Sequence, residues 1–282
     1  MLTLTFVVGD PSPHPAGGRL VQEWADAGDV YARAFADGAR RWIDWAGLAT
    51  FAFSPGSTVV RVWPSPEATR QLVVETFSRV LQPIVMQAIG WQALHASAVV
   101  VGGGVVALCG RSGSGKSTVA YALGQDHDQW ADDGVIVGLG TQGVVAHRVP
   151  FTPRLRPDSR TLFATHSGRR AGHSAAGDEL PLRCVAVLRQ ERSLTATVQC
   201  RPVPPAEAFQ MLVTHAHCFD PRDPDDARRF AQDYLAIADA VPVIEVTYRP
   251  GLDYLATVTA AVLHSVAGHE HQDGRPAAVI PV

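Results

Sequence analysis

The chain has 282 residues, of which 46% are hydrophobic and 18% charged, a balance typical of a globular protein with a full α/β core. Its formal net charge of −3 provides no basic field, so we expect no nucleic-acid partner. No apolar run approaches the roughly 20 residues that span a bilayer, so we expect no membrane partner. The four cysteines are far apart, with no C-x-x-C pair and no apolar signal segment before them, which favours a reduced, cytoplasmic protein.

The first 90 residues alternate short apolar runs with turn signals. Residues 49–53 and 58–63 flank a Ser-Pro-Gly-Ser turn, which predicts two strands of a small sheet. Apolar residues at helical spacing between residues 66 and 90 predict a helix that Pro83 should kink or split. We therefore expect residues 1–90 to form a small N-terminal α+β domain, with substrate recognition as its hypothetical role.

A glycine-rich loop follows a predicted hairpin. Two apolar runs within residues 95–109 flank the turn Gly102-Gly-Gly104, and the second run leads directly into the loop. Residues 110–117 match G-x-x-x-x-G-K-[ST], and a helix is predicted after them to about residue 124. Backbone N–H groups and a helix N-terminus in this arrangement bind phosphate. The expected nucleotide-binding residues are Gly110, Arg111, Ser112, Gly113, Ser114, Gly115, Lys116, Ser117 and Thr118.

Lys116 is the only lysine of the chain, since the other basic residues are all arginine. A slim ammonium at this position can reach the β- and γ-phosphates, whereas a planar guanidinium has a different shape. The Ser117 hydroxyl is expected to be a ligand of Mg²⁺. The pattern therefore predicts that ATP and Mg²⁺ bind at this loop.

Two adjacent carboxylates, Asp132 and Asp133, stand next to a predicted strand about one helix-crossing from Lys116. Such a position returns them to the same end of the sheet, where a carboxylate can hold Mg²⁺ or accept a proton. The alternative interpretation is a solvated Asp-Asp-Gly turn.

Taken together, His95-Ala-Ser-Ala, the loop 110–117 and Ala131-Asp-Asp133 resemble the kinase domain of HPr kinase/phosphorylase and its shorter relatives. These relatives include free-serine kinases and kinases encoded with lasso peptides, which phosphorylate a hydroxyl at the peptide tail. The resemblance covers about residues 91–250 and implies a P-loop kinase core of the HPr kinase and phosphoenolpyruvate carboxykinase type. It further implies that Asp133 is the base for the acceptor hydroxyl, that His95 lies beside the phosphoryl group and that Ser117 binds Mg²⁺.

The chain departs from the family pattern at two places. Thr118 stands where longer members have glutamate, and the glycine-rich signature with its metal-binding glutamate is missing downstream. Asp158 is the candidate replacement for that carboxylate, so Ser117, Asp132 and Asp158 form the expected metal set. We therefore expect neither HPr as the substrate nor phosphorylase activity.

The remaining predictions concern residues 159–282. Residues 159–180 are interpreted as a mobile loop, with a lid over the acceptor site as its hypothetical role. For Arg169 and Arg170 a solvated loop is favoured over contact with an acidic acceptor. Arg201 stands where related kinases keep a catalytic arginine, and a surface arginine is the equal alternative. His215 and His217 are assigned a structural or surface role rather than a metal site. Strands are predicted at 182–188, 194–200 and 241–248, helices at 206–215, 225–240 and 254–266, and a flexible tail at 267–282.

The leading functional hypothesis is transfer of the γ-phosphoryl group of ATP to a serine-type hydroxyl, first of all on a biosynthetic peptide of the lasso type. A kinase of free serine or another small metabolite is the second hypothesis. The third is a regulatory protein that binds or hydrolyses a nucleotide without a phosphate acceptor. A homo-oligomer is compatible with all of them, and residues 91–266 are the expected kinase domain.

Overall fold

The structure is a computed structural model, and it describes residues 2–8, 18–141, 143–151 and 177–270, without the side chains of the last two. Within these residues the chain forms an α/β fold with two β-sheets, one of six strands and one of nine. Among the described helices, none has the length and apolar character that crossing a bilayer requires.

The six-stranded sheet is formed by the N-terminal part of the chain. Its spatial order is β1-β6-β5-β4-β3-β2, with β1 parallel to β6 and all other neighbours antiparallel. The two strands predicted around the Ser-Pro-Gly-Ser turn are confirmed as β5 and β6, whereas β2 to β4 were not predicted one by one. The strands are β1 (Thr3–Phe6), β2 (Arg19–Asp26), β3 (Asp29–Asp37), β4 (Arg40–Trp45), β5 (Ala49–Phe53) and β6 (Val59–Pro64).

A helical segment covers one face of this sheet. It consists of α1 (Arg70–Thr76), a π-helical turn (Phe77–Leu81) and α2 (Gln82–Ala88). Pro83 has no N–H for an i→i−4 bond, and the wider π turn stands directly before it. The predicted effect of Pro83, a kink or a split, takes the form of this π turn, and the backbone stays helical from Arg70 to Ala88. Phe77 packs on Phe51 of the sheet with ring centroids 5.5 Å apart.

The nine-stranded sheet carries the rest of the chain. One arm runs β10-β8-β9-β13-β15-β14 and a second runs β7-β11-β12-β13, so β13 belongs to both. Strands β9, β13 and β15 are mutually parallel. The strands are β7 (Gln92–Leu94), β8 (Ala96–Val101), β9 (Gly104–Gly110), β10 (Gln129–Ala131), β11 (Val135–Gly140), β12 (Gly143–His147), β13 (Glu179–Gln190), β14 (Val198–Val203) and β15 (Val243–Tyr248).

The strand directions bring several chain segments to one edge of this sheet. Strand β8 is antiparallel to both β9 and β10, so β9 and β10 end at the edge where β8 begins. Ala96 at the start of β8 pairs with Cys109 near the end of β9. The residues before β8 and after β9 and β10 therefore meet, as the carboxyl ends of parallel strands do in ligand-binding α/β sheets.

Helices cover both faces of the arm that contains β9. Helices α3 (Lys116–Leu123) and α6 (Leu255–Glu270) bury Val119, Leu123 and Val262 on one face. Helices α4 (Pro205–Thr214) and α5 (Pro224–Ala240) bury Leu212 and Tyr234 on the other. The apolar character of β9, buried at every residue, follows from this double cover.

Some element boundaries differ from the sequence predictions. Strand β14 begins at Val198, because residues 191–197 form turns rather than the predicted start of a strand. Helix α6 continues to Glu270, beyond the predicted end near residue 266, so residues 267–270 are helical and not tail. Of the predicted loop 159–180, Glu179 and Leu180 are part of β13, and residues 159–176 lie outside the described residues, as do residues 271–282.

One buried ion pair joins the N-terminal sheet to the helical layer. The Arg41 guanidinium of β4 contacts the Asp226 carboxylate in the first turn of α5 at 2.6 Å and also donates to the carbonyl of Ala88. Both side chains are about nine-tenths buried. Removing Arg41 leaves the buried Asp226 carboxylate with only the half-exposed Arg229 guanidinium as a partner, at 2.5 Å, and this costs more than losing an exposed pair.

We expect Arg41→Ala to lower the free energy of unfolding by about 3–5 kcal/mol, measured by urea denaturation. The matched control is Arg33→Ala, which removes the exposed pair with Glu23 (2.8 Å) and should cost about 0–1 kcal/mol. Equal losses in the two variants would show that the Arg41 pair is not the stronger connection.

Candidate nucleotide and phosphoryl-transfer site

The loop between β9 and α3 has positive φ angles at three glycines, Gly110, Gly113 and Gly115, and two of these also lie against neighbouring strands. Gly110 has a φ of 150°, and a Cβ there would lie 2.6 Å from the Leu188 carbonyl of the neighbouring strand. Gly115 caps α3 with a φ of 90°, and a Cβ would run into the Tyr248 hydroxyl. The loop is therefore seated closely against β13 and β15, and α3 begins at Lys116 with its N-terminus at the loop.

Tyr248, at the end of β15, holds this loop from the side. Its hydroxyl donates to the Ser114 carbonyl and accepts from the Gln190 side-chain amide at 3.4 Å. The ring is 5% exposed. The sequence analysis did not identify Tyr248, although an aromatic residue at the end of a strand parallel to β9 was an available signal.

Lys116 and His95 form a direct contact. The Lys116 ammonium donates to the Gly110 carbonyl at 2.9 Å and lies 3.2 Å from Nε2 of His95. Since an ammonium only donates, Nε2 of His95 is the acceptor, and the ring proton is on Nδ1. Burial lowers the pKa of His95, the positive charge of Lys116 lowers it further, and Asp133 opposes both effects. His95 is therefore neutral at pH 7.

Asp132 connects the starts of β8 and α3. Its Oδ1 atom accepts from Ser97 at 2.7 Å and from Ser117 at 2.9 Å. Ser97 is fully buried and was not assigned a role from the sequence. The sequence signal that could have identified Ser97 is its position two residues after His95 in a predicted strand, because residues i and i+2 of a strand share a face.

The Ser117 and Asp132 oxygens fit Mg²⁺. The hydroxyl and the carboxylate are oxygen ligands of the kind that Mg²⁺ takes in proteins, and they lie together at 2.9 Å because the hydroxyl donates to the carboxylate. Within the described residues, no group of three His, Cys, Asp or Glu side chains forms a metal site. The expected third ligand, Asp158, lies outside the described residues.

Asp133 adopts an unusual backbone conformation next to these groups. Its φ is 63°, in the left-handed region, and the following Gly134 lies so close to Pro83 that a Cβ would overlap the proline ring. Burial raises the pKa of the Asp133 carboxyl and the Asp132 charge raises it further, whereas His95, Lys116 and Arg79 act in the opposite direction. The backbone of Asp133 also hydrogen-bonds the His95 ring.

His215 and His217 lie behind His95. The His215 carbonyl accepts from the His95 backbone N–H at 2.7 Å, and the His217 N–H donates to the Ala93 carbonyl at 2.8 Å. The His217 ring meets the His95 ring edge-on at 6.0 Å. Burial lowers the pKa of His217 to about 4, so this ring is neutral at pH 7. The two histidines thus support the bend between β7 and β8 that contains His95.

Arg201 is placed apart from the residues above. It lies on β14, beyond β13 and β15, where its guanidinium bonds Glu245 at 2.7 Å and both carboxylate oxygens of Glu207. These carboxylates raise its pKa. Of the predicted catalytic residues, the structure brings His95, Lys116 and Asp133 together and leaves Arg201 at the sheet edge. Thr118 lies in the first turn of α3, and Arg111 and Ser112 are exposed on the loop.

Comparisons with known proteins add little to this geometry. No protein-family model and no curated protein matches the sequence. Among matching solved structures is the HPr(Ser) kinase/phosphatase from Coxiella burnetii, with 15% identity and a TM-score of 0.40. The match covers 64% of this chain and 94% of that chain. A likeness this distant supports no conclusion about function, which must be argued from the site.

We expect Tyr248→Phe to weaken ATP binding about 3- to 10-fold, because the loop loses the hydrogen bond to the Ser114 carbonyl. Calorimetric titration with ATP and Mg²⁺ measures the change. Tyr254→Phe, in the turn before α6, is the matched control and should bind ATP like the unaltered protein. Unchanged affinity in Tyr248→Phe would contradict the anchoring role.

Asp133→Asn is expected to be at least as stable as the unaltered protein at pH 7. The raised pKa of Asp133 means that ionisation is less favourable in the folded protein than in the unfolded chain. The ionised carboxylate therefore costs stability above the raised pKa, and this cost disappears as the pH falls to the unfolded value of 3.8. Asparagine also tolerates a positive φ. Thermal unfolding of Asp133→Asn and of the unaltered protein at pH 7 and at pH 3.5 tests this prediction. A variant that is less stable than the unaltered protein at pH 7 would contradict it.

Proposed function

We propose that the protein is an ATP-dependent kinase that transfers the γ-phosphoryl group to a hydroxyl. The observation that carries this proposal is Asp133, a carboxylate with a raised pKa held beside Lys116 and His95 at the phosphate-loop edge. A protein that only binds a nucleotide needs no base there, and the shift brings the pKa of Asp133 closer to neutral pH, which favours proton acceptance. ATP is supported by the loop sequence and its context.

Different residues bind the phosphoryl donor and act on the acceptor hydroxyl. The loop N–H groups and Lys116 bind the phosphates, for which Lys116 exchanges its contacts with Gly110 and His95. Ser117 and Asp132 are the residues that would hold Mg²⁺, which would neutralise charge at the phosphates when bound. Asp133 takes the acceptor proton as the hydroxyl oxygen bonds to the γ-phosphorus, and the bond to the β-phosphate oxygen breaks to release ADP.

The proposed acceptor follows from the sequence motifs. The motif resemblance to the shorter kinases favours a serine-type hydroxyl on a biosynthetic peptide, followed by free serine or another small metabolite. For the first 90 residues we propose substrate recognition, and for the whole protein a cytoplasmic location. Hydrolysis of ATP with no acceptor is the outcome that would favour a regulatory protein instead.

Two variants separate the donor from the acceptor functions. We expect Asp133→Asn to keep ATP affinity within about 2-fold and to lower phosphoryl transfer about 10²- to 10⁴-fold, because only proton removal is lost. Lys116→Ala should lower both, because phosphate positioning depends on the ammonium. Transfer of ³²P from γ-labelled ATP to hydroxyl compounds, with ATP titration alongside, measures the two effects.

Asp126→Asn, in the turn after α3 and outside the site, is the matched control and should behave like the unaltered protein. Normal transfer by Asp133→Asn would exclude Asp133 as the base. Equal ATP hydrolysis by Asp133→Asn and the unaltered protein, with no transfer to any hydroxyl compound, would identify a nucleotide-hydrolysing regulator.

A further inference from the structure

A cavity of about 390 Å³ opens beside Asp133. One wall is formed by Asp132 and Asp133, and another is formed by α1 and the π turn, which contribute Val74, Glu75 and Arg79. Phe151, after β12, also lines the cavity. The cavity therefore lies between the phosphate-loop edge of the large sheet and the helical segment of the first 90 residues.

The packing of Pro83 on Gly134 fixes the distance between these two walls. A Cβ on Gly134 would overlap the Pro83 ring, so the turn that carries Asp133 is in contact with the start of α2. The π turn stands directly before this contact and carries Arg79. Single π turns are frequent at functional sites because they redirect side chains from a regular helix. Here the turn places Arg79 in the cavity that contains the proposed base.

Arg79 is the cationic side chain in a wall that otherwise carries the carboxylate of Glu75. Its side chain is exposed, and no hydrogen bond or ion pair joins its guanidinium to another residue in the described part of the chain. The positive charge of Arg79 lowers the pKa of Asp133, because it favours the ionised carboxylate. A guanidinium that faces a cavity without a partner has its planar donor fork available for a ligand.

We infer that this cavity binds the phosphoryl acceptor, and that Arg79 binds a carboxylate located near the hydroxyl that Asp133 deprotonates. The inference rests on the proposed kinase function and adds the acceptor's chemical class, a hydroxyl compound with a nearby carboxylate. Free serine and a peptide with serine at its C-terminus both present this chemistry. The apolar side chains of Val74 and Phe151 would pack on the carbon atoms of the acceptor.

The charges around the cavity favour a carboxylate over a phosphate. Glu75, Asp132 and Asp133 are all acidic, so a dianion would be repelled more strongly than a singly charged group. A guanidinium binds a carboxylate through two parallel hydrogen bonds, which also orients it. Binding the carboxylate at Arg79 therefore fixes the direction in which the neighbouring hydroxyl points.

The experiment compares acceptors that differ only in this carboxylate. The unaltered protein is given γ-labelled ATP with free L-serine, L-serine amide, a pool of peptides ending in serine, and the same pool ending in serine amide. We expect transfer to free-carboxylate compounds and at least 10-fold less to the amides. Transfer to L-serine alone would identify a small-molecule acceptor, and transfer to the peptide pool alone would identify a peptide tail.

The second part of the experiment uses variants of Arg79. Arg79→Ala should raise the KM for the carboxylate acceptor about 10- to 100-fold, with the KM for ATP unchanged, and Arg79→Lys should recover part of the loss. The amide acceptors should be insensitive to Arg79→Ala. Arg61→Ala, which removes an exposed arginine of β6 away from the cavity, is the matched control and should change neither KM.

The outcomes distinguish the inference from the proposed function. Equal use of acids and amides, or transfer that Arg79→Ala leaves unchanged, would overturn carboxylate recognition while the kinase function stands. The same holds if the protein phosphorylates other hydroxyl compounds but neither uses nor binds, in the presence of a non-hydrolysable ATP analogue, any of the carboxylate compounds. Failure to bind ATP would overturn the proposed function itself, and with it the inference.

Discussion

The hydrogen bonds that Asp132 accepts from Ser97 and Ser117 connect the parts of the molecule on which the site depends. Ser97 belongs to β8, Ser117 to the first turn of α3, and Asp132 follows β10. A buried serine hydroxyl and a half-buried carboxylate need partners, because an unpaired polar group in the interior costs several times the value of the hydrogen bond. Satisfying these groups therefore fixes the strand ends, and with them the oxygens suited to Mg²⁺.

The same edge of the sheet contains interactions that do not favour folding. Asp133 has a positive φ and a carboxylate whose ionisation is opposed by burial and by Asp132, and Lys116 is 7% exposed. Such features persist only where the surrounding structure holds them in place. Here the neighbours are rigid: Tyr248 and β13 support the loop, and Pro83 packs against the turn of Asp133. The buried Arg41–Asp226 pair anchors the N-terminal sheet to the same body.

The phosphate-binding residues and the helical wall of the cavity beside Asp133 belong to different parts of the fold. Phosphate-binding groups come from the nine-stranded sheet and α3, whereas the helical wall comes from α1 and the π turn, which pack on the six-stranded sheet. Both parts share one buried cluster, in which Ile136 of β11 and Phe219 contact the N-terminal core. A change of the helical wall could therefore alter the ligand that the cavity accepts without moving the phosphate loop.

The sequence by itself determined the local features of this protein. The loop 110–117 with its flanking strand and helix, the interruption of the α-helical pattern before Pro83, and the hairpin around Gly102 follow from glycine, proline and apolar periodicity, which act over a few residues. It also indicated His95 and Asp133 as neighbours of the loop, through a motif resemblance.

Only the tertiary structure decided which distant residues meet. Ser97 beside Asp132, Tyr248 beside Ser114, Arg79 in the same cavity as Asp133, and Arg201 held by Glu207 and Glu245 all depend on strand order and on packing between segments far apart in sequence. Strands β2 to β4 were also not predicted individually from the sequence. Their pairing depends on which residues each neighbouring strand buries, and the local sequence pattern does not specify this. Long-range register is set by the whole core, and no short segment contains that information.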